Sequence, residues 1–401
     1  MKKVSLLLTL TVALVLTLSG CVRYVELSDR AIVQALGIDY LPEKNIYRIS
    51  MQYFSQTSEG GQNQIDKTQP NVLKSVGEGD SILTAAKNAS ILSGKDLLLS
   101  ENRLIIIGSE LCNYDLMKTL QFFIANYHSH PKTYVCAAQN TAEELIDIRF
   151  KEGYVSSQHL INLIENASSE GKTLADYAYQ IMGQLCNKTG SAYLPRLKIS
   201  EQKTDGTVPK EAGEDKKEGG EQDKETEKTI VLDGGVIFSD KLKSGVIDSQ
   251  SCTGLQFLCN RMAEYSVTVD TENNYKSTIT MFSVQTSIKP FFDLDGRLNF
   301  EVSVKADGRF DERGGISETD TSKIMKVKSD AESIVCGIIE KAVYDVRDQC
   351  RSDVFGLEKA LRHHYPEYVK DNKENITEII LSAPCKVKVD CNTFSLGLES
   401  Y

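Results

Sequence analysis

The fold is decided by an apolar run near the start of the chain, Ala31-Ile-Val-Gln-Ala-Leu-Gly-Ile38. This run has the length and content of a buried strand, and Asp39 and Pro42 end it. Residues Tyr47 to Phe54 then alternate between apolar and polar side chains, as expected of a hairpin partner. The pattern predicts that a β-sheet begins here.

Helix and strand signals alternate from this hairpin to residue 197. In chain order they are a helix with Asp80 as N-cap and Gly94 after its end, a strand over 103–107, a helix over 116–124, a strand over 134–138, a helix opened by a capping box of Thr141 and Glu144, and helices over 156–166 and 174–185. Residues 193–197 then lead into a charged run. This alternation predicts layers of helices on a sheet.

The second half of the chain has a different pattern. Residues 232–238 predict a turn that leads into a strand, 241–245 another turn and 251–262 a short helix. From Thr268 onward a period of two dominates, and one strand face would carry Leu298, Phe300, Val302 and Val304. Helical spacing over 331–346 predicts an amphipathic helix on that sheet, with a polar face of Glu332, Lys341, Asp345 and Arg347. A strand over 385–390 follows.

These patterns predict a multi-domain protein of the α/β (α+β) class, with mixed or antiparallel sheets decorated by helices. The run from Glu201 to Thr229 has Val208 as its only large aliphatic residue, so it cannot bury enough apolar area to offset the entropy of ordering. The expected organisation is a signal peptide over 1–20, an N-terminal domain over 21–197, a charged disordered linker or loop over 198–229, a small middle domain or connecting segment over 230–275, and a C-terminal α/β domain over 276–401.

The N-terminus predicts a lipid anchor. Two lysines precede an apolar stretch from Val4 to Leu18, and Leu18-Ser19-Gly20-Cys21 then matches the box that a bacterial lipoprotein signal peptidase cuts. The Cys21 thiol can take a diacylglyceryl group, and cleavage frees its amine for a further acyl chain. About 15 apolar residues are too few for a transmembrane anchor, which needs roughly 20. We therefore expect a body tethered to a membrane through acylated Cys21.

Composition limits the partners and the cysteine chemistry. The net charge of the 401-residue chain is −10, and loss of Lys2 and Lys3 with the signal peptide makes it −12, which argues against a nucleic-acid or anionic-lipid surface. Ten cysteines leave nine once Cys21 is acylated, and an odd number cannot all pair within the chain. Lipid is therefore expected to provide the anchoring, and at least one thiol to stay free.

Motifs for common catalytic scaffolds are missing from the sequence, including G-x-S-x-G, G-x-x-x-x-G-K-[ST], G-x-G-x-x-G, C-x-x-C and H-E-x-x-H. The remaining candidates are better explained structurally: His128 and His130 by a turn, His363 and His364 by a helix C-terminus, Cys252 with Cys259 and Cys385 with Cys391 by core packing, and Glu143 with Glu144 by solvent exposure and capping. We predict no catalytic, metal-binding or cofactor-binding residue, and hence a protein that is not an enzyme.

Several stretches together resemble the Ger(x)C spore-germination lipoproteins, the C subunits of nutrient germinant receptors. After Cys21 they are Glu26-Leu-Ser-Asp29 with the 31–39 run, Gly77-Glu-Gly79, Ser100-Glu-Asn-Arg-Leu-Ile-Ile-Ile-Gly108, Leu232-Asp-Gly-Gly-Val-Ile-Phe238 with Gly245 and Leu255, and Asp353-Val-Phe-Gly-Leu357 through Leu361 to Tyr365-Pro366. The family commonly has tryptophan and aspartate directly after the lipid cysteine. This chain has Val22-Arg23 there and no tryptophan at all.

The resemblance implies a non-enzymatic subunit on the outer face of the spore inner membrane, beside two membrane-embedded partners, the A and B subunits. It implies a multi-domain α/β fold, and Cys21 is the only functional residue it transfers. A substrate-binding lipoprotein of an ABC-type importer shares the signal box and the acidic body, but the second half does not repeat the pattern of the first. A cell-envelope hydrolase is the third alternative.

Overall fold

The computed structural model describes residues 30–54, 72–127, 130, 132–148, 156–203, 226–271, 275–314, 316 and 320–395. The predicted signal peptide, Cys21 and the central part of the charged run, residues 204–225, lie outside these ranges, and so does His128. Among the described residues, no helix is both long and apolar enough to cross a membrane.

The first module contains nine strands and five helices among the described residues. In chain order they are β1 (Arg30–Leu41), β2 (Ile46–Phe54), β3 (Val72–Gly79), α1 (Ile82–Ser93), β4 (Asp96–Leu98), β5 (Leu104–Ile107), α2 (Leu116–Tyr127), β6 (Tyr134–Ala138), α3 (Ala142–Asp147), α4 (Ser156–Ser169), α5 (Ala178–Leu185), β7 (Ala192–Lys203), β8 (Thr226–Ser239) and β9 (Leu242–Ile247). A short 3₁₀ helix, Leu111–Asn113, precedes α2.

The second module follows without a break in the chain. It comprises α6 (Ser249–Leu258), β10 (Glu264–Asp270), β11 (Lys276–Phe292), β12 (Leu298–Glu312), α7 (Thr321–Val343), a π-helical segment (Tyr344–Gln349), α8 (Leu357–His364), α9 (Pro366–Asp371), α10 (Ile376–Ser382) and β13 (Cys385–Ser395).

The first sheet has the order β3-β2-β1-β5-β6-β7-β8-β9, with β4 also paired to β1. Strands β1, β4, β5, β6 and β7 are parallel, and the outer strands are antiparallel. Successive residues of β5 face opposite layers: Ile105 and Ile107 pack with α1, α2 and α5, while Leu104 and Ile106 pack with α3 and α4. Helices therefore cover both faces of this sheet, as the continuous apolar content of β5 requires.

The second sheet has the order β10-β11-β12-β13, antiparallel except for the parallel pair of β12 and β13. The predicted strand face is confirmed, because Leu298, Phe300, Val302 and Val304 are all buried. They share a core with Ala331, Val335 and Ala342 of α7, so the amphipathic helix lies on this sheet as predicted. The fold is thus a multi-domain arrangement of mixed sheets and helices, as expected.

Local details correct several sequence predictions. The N-cap of α1 is Ser81 rather than Asp80, and its hydroxyl accepts a hydrogen bond from the Thr84 amide. Gly94 ends this helix in the left-handed region, as predicted. The predicted helix over 174–185 begins only at Ala178, and the predicted turn over 241–245 is mostly strand β9. The turn itself is confined to Asp240 and Lys241, which both have positive φ.

The predicted domain boundaries also change. Residues 198–203 and 226–229, assigned to the linker, are paired strand residues of β7 and β8, from Lys198 against Val231 to Lys203 against Thr226. Backbone hydrogen bonds between the two strands hold these charged residues in the sheet although their side chains favour solvent. The predicted middle segment over 230–275 is divided: β8 and β9 belong to the first sheet, and β10 belongs to the second.

In the family-like stretch Gly77-Glu-Gly79, Gly77 is required by close packing of α1 on the sheet. A Cβ atom on Gly77 would lie 2.2 Å from both the Ala85 carbonyl oxygen and the Ala89 nitrogen of α1. We expect Gly77→Ala to lower the free energy of unfolding by about 1 to 3 kcal/mol, because α1 must move off the sheet. Urea denaturation measures this. Gly337→Ala is the control, since its Cβ meets nothing within 4 Å and alanine should stabilise α7 by about 0.5 to 1 kcal/mol.

Candidate functional site

A cleft opens at the edge of the first sheet where the parallel strands β5 and β6 begin. We call it the amino-edge cleft; its volume is about 360 Å³, and it is lined by Ser100, Glu101, Asn102, Arg103, His130, Lys132, Tyr134, Glu165 and Tyr177. This volume is within the range of small-molecule sites. The lining comes from the two segments that precede β5 and β6, the start of β6, helix α4 and the N-cap of α5, so no single stretch of sequence contains it.

Two tyrosines and a carboxylate form one wall of the cleft. The Tyr134 hydroxyl donates to Glu165 Oε1 at 2.8 Å and lies 3.0 Å from the Tyr177 hydroxyl. The two rings pack together with centroids 4.5 Å apart. Burial, with help from the hydrogen bonds to Tyr177 and Glu165, raises the pKa of Tyr134, which keeps its hydroxyl protonated. The Tyr134 hydroxyl is therefore a fixed hydrogen-bond donor in this wall.

Asn102, a lining residue of the cleft, carries a buried unpaired donor. Its side chain is only 1% exposed, and its Oδ1 accepts from the Leu104 amide at 3.3 Å. This contact fixes the amide orientation, and Nδ2 has no hydrogen-bond partner among the described residues. A buried unpaired donor costs about 1 to 3 kcal/mol, and Nδ2 is itself buried, so it is not available to a ligand in the cleft.

The charges of the cleft are balanced. Arg103 and Lys132 are exposed cations at its rim, and Glu101 and Glu165 are carboxylates. The Arg103 Nη1 donates to the neutral side chain of Gln158 at 3.0 Å. The charge composition of the amino-edge cleft favours a polar ligand that carries both signs of charge over a simple anion or cation.

The opposite edge of the sheet is already filled by the protein itself. At the end of β1, the Asp39 carboxylate accepts from the amides of Ala142 and Glu143 at 2.7 and 3.0 Å, at the N-terminus of α3. Burial raises the pKa of Asp39, although these two amides act against that shift. The position where a helix terminus could bind an external anion is therefore occupied by Asp39.

The Glu143–Glu144 prediction is half right. Thr141 caps α3 by accepting from the Glu144 amide at 3.3 Å, as the capping signal predicts. Glu143, however, is not a solvated residue: it forms ion pairs with Arg48 at 3.0 Å and Lys74 at 2.9 Å. These contacts join β2, β3 and α3, so Glu143 has a structural explanation.

One polar cluster joins α6 to the end of α7. Lys341 Nζ lies 2.8 Å from Ser251 Oγ, Asp248 Oδ2 and Asp345 Oδ2. Burial alone would lower the pKa of Lys341, but its hydrogen bonds to the two carboxylates raise it. Ser251 Oγ in turn donates to Asp345 Oδ2, so every member of the cluster has a partner within it.

The structure describes most of the histidine and cysteine candidates. The nine cysteines within the described ranges are free thiols. Burial raises the pKa of Cys252 and of Cys259 to about 12, which makes these thiols inert core residues. His363 and His364 end helix α8. Within the described ranges, no group of three histidine, cysteine or acidic side chains is placed to hold a metal ion.

The junction between the modules is fastened by side chains on α6 and the residues after it. Gln256 Nε2 donates to the Ser168 carbonyl at 3.0 Å and also to the Thr173 carbonyl. Arg261 donates to Asp176 Oδ1 at 2.5 Å and to the Ala175 carbonyl at 3.0 Å. The hydrophobic core of the second module also includes Tyr193, Ile237 and Ile247, which belong to strands of the first sheet. The two modules are therefore packed together.

The Asp353-Val-Phe-Gly-Leu357 stretch is the second part of this junction. The Asp353 carboxylate accepts from the Leu357 amide at 2.6 Å and the Glu358 amide at 2.9 Å, at the start of α8. Its own amide donates to Ser191 Oγ at 3.1 Å, and Ser352 donates to the Phe238 carbonyl at 2.7 Å. Gly356 supplies the left-handed conformation, with φ of 86°, that lets the chain turn into the helix.

The buried Asp353 carboxyl should make the free energy of unfolding depend on pH. Burial raises its pKa to about 7, against the opposing backbone hydrogen bonds from Glu358 and Leu357. The folded state therefore holds the proton more tightly than the unfolded state, where the pKa is about 3.9. Stability from this group is present at low pH and is lost as pH rises towards 7, by about 2 to 3 kcal/mol between pH 5 and pH 8.

The measurement compares the wild type with Asp353→Asn by urea denaturation at pH 5, 6, 7 and 8. The difference in the free energy of unfolding between the two proteins isolates Asp353 from Asp39 and other titrating groups. We expect the wild type to lose stability relative to the variant as pH rises. A difference that stays constant over this range would contradict the prediction.

Comparisons with known proteins give matches for both halves of the chain. Residues 23–199 match the family described as spore germination protein N-terminal domain, and residues 233–397 match the family described as spore germination B3/GerAC like, C-terminal. A solved structure, "Crystal Structure of the GerBC protein", has a similar fold, with a TM-score of 0.54, 15% identity, and coverage of 90% of this chain and 96% of that chain. No curated protein matches significantly.

Proposed function

The chain belongs to the Ger(x)C family of spore germination proteins, and from this premise we propose that it is the membrane-tethered C subunit of a nutrient germinant receptor. In this proposal acylated Cys21 holds the body on the outer face of the spore inner membrane. The body contacts membrane-embedded A and B subunits and carries out no reaction itself. Nutrient-triggered germination then depends on these contacts.

The observation that carries the proposal is the order of the two family matches. The N-terminal match begins at residue 23, two positions after the predicted lipid cysteine, and the C-terminal match extends to residue 397. Stretches that resemble the family also have structural tasks: Gly77 lets α1 approach the sheet, and Asp353 caps α8 at the junction. A tethered subunit held near its partners needs only modest interface contacts, because tethering raises the effective concentration.

The described chemistry supports an interaction role over the alternatives. Burial raises the pKa of the Cys252 thiol to about 12, so this thiol lacks nucleophilic character. The two modules differ in strand number and order, unlike the two similar lobes that close around a solute in the importer alternative. Neither observation depends on the family match.

Recovery of the protein from spore inner membranes tests the proposal. With an affinity tag at the C-terminus, we expect two multi-pass membrane proteins to co-purify, and we expect deletion of the gene to slow germination by nutrients but not by stimuli that bypass receptors. Co-purification with a permease and an ATPase would favour the importer instead. Unchanged nutrient germination in the deletion strain would refute the receptor role.

A further inference from the structure

One face of the first sheet is covered by helices that contain no acidic residue. Helices α1, α2 and α5 share one core on this face, and we call them the acid-free layer. Their sequences include Lys87 and Lys118 but no aspartate or glutamate, although 56 of the 401 residues of the chain are acidic. Acidic residues flank these helices, at Asp80 before α1, Asp115 before α2 and Asp176 before α5. The outer side of the layer is thus weakly cationic.

Helices α3 and α4, on the opposite face of the sheet, have the reverse charge. They contain no lysine or arginine. Their acidic residues are Glu143, Glu144, Asp147 and Glu165. Arg48 and Lys74 offset part of this charge through their ion pairs with Glu143. The net charge of −12 opposes anionic lipid when it is averaged over the chain, but the two faces differ, so an anionic surface would attract the acid-free layer more than the opposite face.

The acid-free layer also exposes large apolar side chains. In α1, Leu83 is 40% exposed, Ile91 74% and Leu92 73%, and in α5 Tyr179 is 47% exposed. Leu83, Lys87 and Ile91 are spaced four residues apart, so they form a line along the outer side of α1. Apolar side chains can enter the boundary between headgroups and acyl chains while a lysine between them extends to the phosphates. The outer side of α1 therefore has the composition of a helix that lies flat on a membrane.

The predicted anchor is close to the end of α1. Arg30, the first residue of β1, pairs with Asp96 of β4, and β4 follows α1 directly after the turn at Gly94. Nine residue steps separate Cys21 from Arg30, and a chain of that length spans at most about 30 Å. A lipid on Cys21 therefore keeps the end of α1 near the bilayer.

We propose that the acid-free layer is the surface with which this protein lies on an anionic bilayer, with α1 parallel to the membrane plane. The three exposed aliphatic side chains of α1 enter the boundary between headgroups and acyl chains. Lys87 and Lys118 contact anionic headgroups, and the carboxylates of α3 and α4 point away from the membrane. The inference rests on the Cys21 tether of the proposed function and adds the orientation of the body, which the tether alone does not set.

Tryptophan is absent from the chain, so a single introduced indole reports the membrane depth of one position. Acylated protein carrying Leu83→Trp or Leu92→Trp is bound to vesicles of phosphatidylglycerol and phosphatidylcholine that contain brominated acyl chains. We expect about half or more of the tryptophan fluorescence to be quenched at both positions, because α1 lies flat. Two exposed control sites should keep their fluorescence: Asn166→Trp, on α4 at the opposite face, and Leu294→Trp, between β11 and β12 in the second module.

The outcomes distinguish the surface from the tether. Protein that sediments with the vesicles without quenching at either α1 position would overturn the acid-free layer as the bilayer contact and leave the tether intact. Quenching of Leu92→Trp alone would contradict the flat orientation of α1, and equal quenching of Asn166→Trp would overturn the choice of face. Protein that does not sediment at all would refute the tether, and the inference with it.

Charge reversal tests the contact with anionic headgroups. Lys87→Glu is introduced into the Leu92→Trp protein, and the quenched fraction is compared in vesicles with and without phosphatidylglycerol. Lys87 is exposed on α1, so its replacement leaves the core of the layer intact. We expect the ratio of docked to undocked protein to fall by about fivefold or more, and only where phosphatidylglycerol is present. Lys118→Glu should act in the same direction.

Lys373→Glu is the matched control for this measurement. It makes the same change of charge at an exposed lysine of the second module, between α9 and α10. We expect the quenched fraction of Leu92→Trp to stay unchanged in this variant. An unchanged quenched fraction with Lys87→Glu, or an equal loss with Lys373→Glu, would overturn the assigned contact between the acid-free layer and anionic headgroups.

Discussion

The Cys21→Ala variant should lose its membrane attachment while its body stays folded. Each buried methylene contributes about 0.8 kcal/mol to membrane binding, and two or three acyl chains hold a protein almost permanently. Their removal is therefore expected to lower the membrane-bound fraction at least tenfold. Nutrient-triggered germination should weaken with it, because the subunit loses the high local concentration that tethering provides. Stimuli that bypass the receptor should act normally.

Fractionation of spore membranes with immunodetection measures the attachment, and mass spectrometry of the native N-terminus checks the modification. Cys186→Ala is the matched control, since it removes an exposed free thiol outside the signal box. An unmodified, uncleaved N-terminus in native protein would refute the lipid anchor. Normal nutrient germination in Cys21→Ala spores would show that tethering is not the mechanism.

The elements of the first sheet could be predicted because their signals are local. Strand β6 has the predicted bounds, and the hairpin of β1 and β2 pairs as the alternation of Tyr47 to Phe54 indicates. The N-cap of α1 was predicted one residue early because Asp80 and Ser81 both have suitable side chains, and only the backbone shows which one accepts from Thr84. Periodicity identifies an element more reliably than its first residue.

Features that depend on distant pairing were not predictable. Charged residues 198–203 and 226–229 suggested a linker, but the backbone pairing of β7 and β8 continues through them. The sequence of residues 241–245, with two lysines, a serine and a glycine, predicts a turn, but pairing with β8 holds β9 extended. Side-chain composition reports solvent preference, and it does not report backbone hydrogen bonds.

The amino-edge cleft was missed for a related reason. Asn102 and Arg103 were noted only as part of a family-like stretch, and Tyr134 only as the first residue of a strand. Glu165 and Tyr177 reach the cleft from α4 and the start of α5, more than 60 residues further along than Asn102. The one available signal was the polar Ser100-Glu-Asn-Arg run directly before a buried strand, which marks a loop at a strand start.

The largest loss of stability from a single side chain is expected for Arg261→Ala at the module junction. Asp176 is only 2% exposed, and the variant would leave its carboxylate with Gln184 Nε2, at 2.9 Å, as its remaining side-chain partner among the described residues. Removing one partner of a buried ion pair costs about 3 to 5 kcal/mol. Because Arg261 is itself 35% exposed, we expect the lower end, about 3 kcal/mol, in urea denaturation.

Two further variants separate the buried charge from other effects of this change. Lys370→Ala breaks a fully surface-exposed pair with Glu367 and should cost less than about 1 kcal/mol. Adding Asp176→Asn to Arg261→Ala removes the stranded carboxylate, so the double variant should be more stable than Arg261→Ala alone. If the double variant is instead less stable, the arginine acts through its contact with the Ala175 carbonyl and its packing. If Arg261→Ala matches the surface control, the ion pair does not hold the junction together, and Gln256 with the shared core must do so.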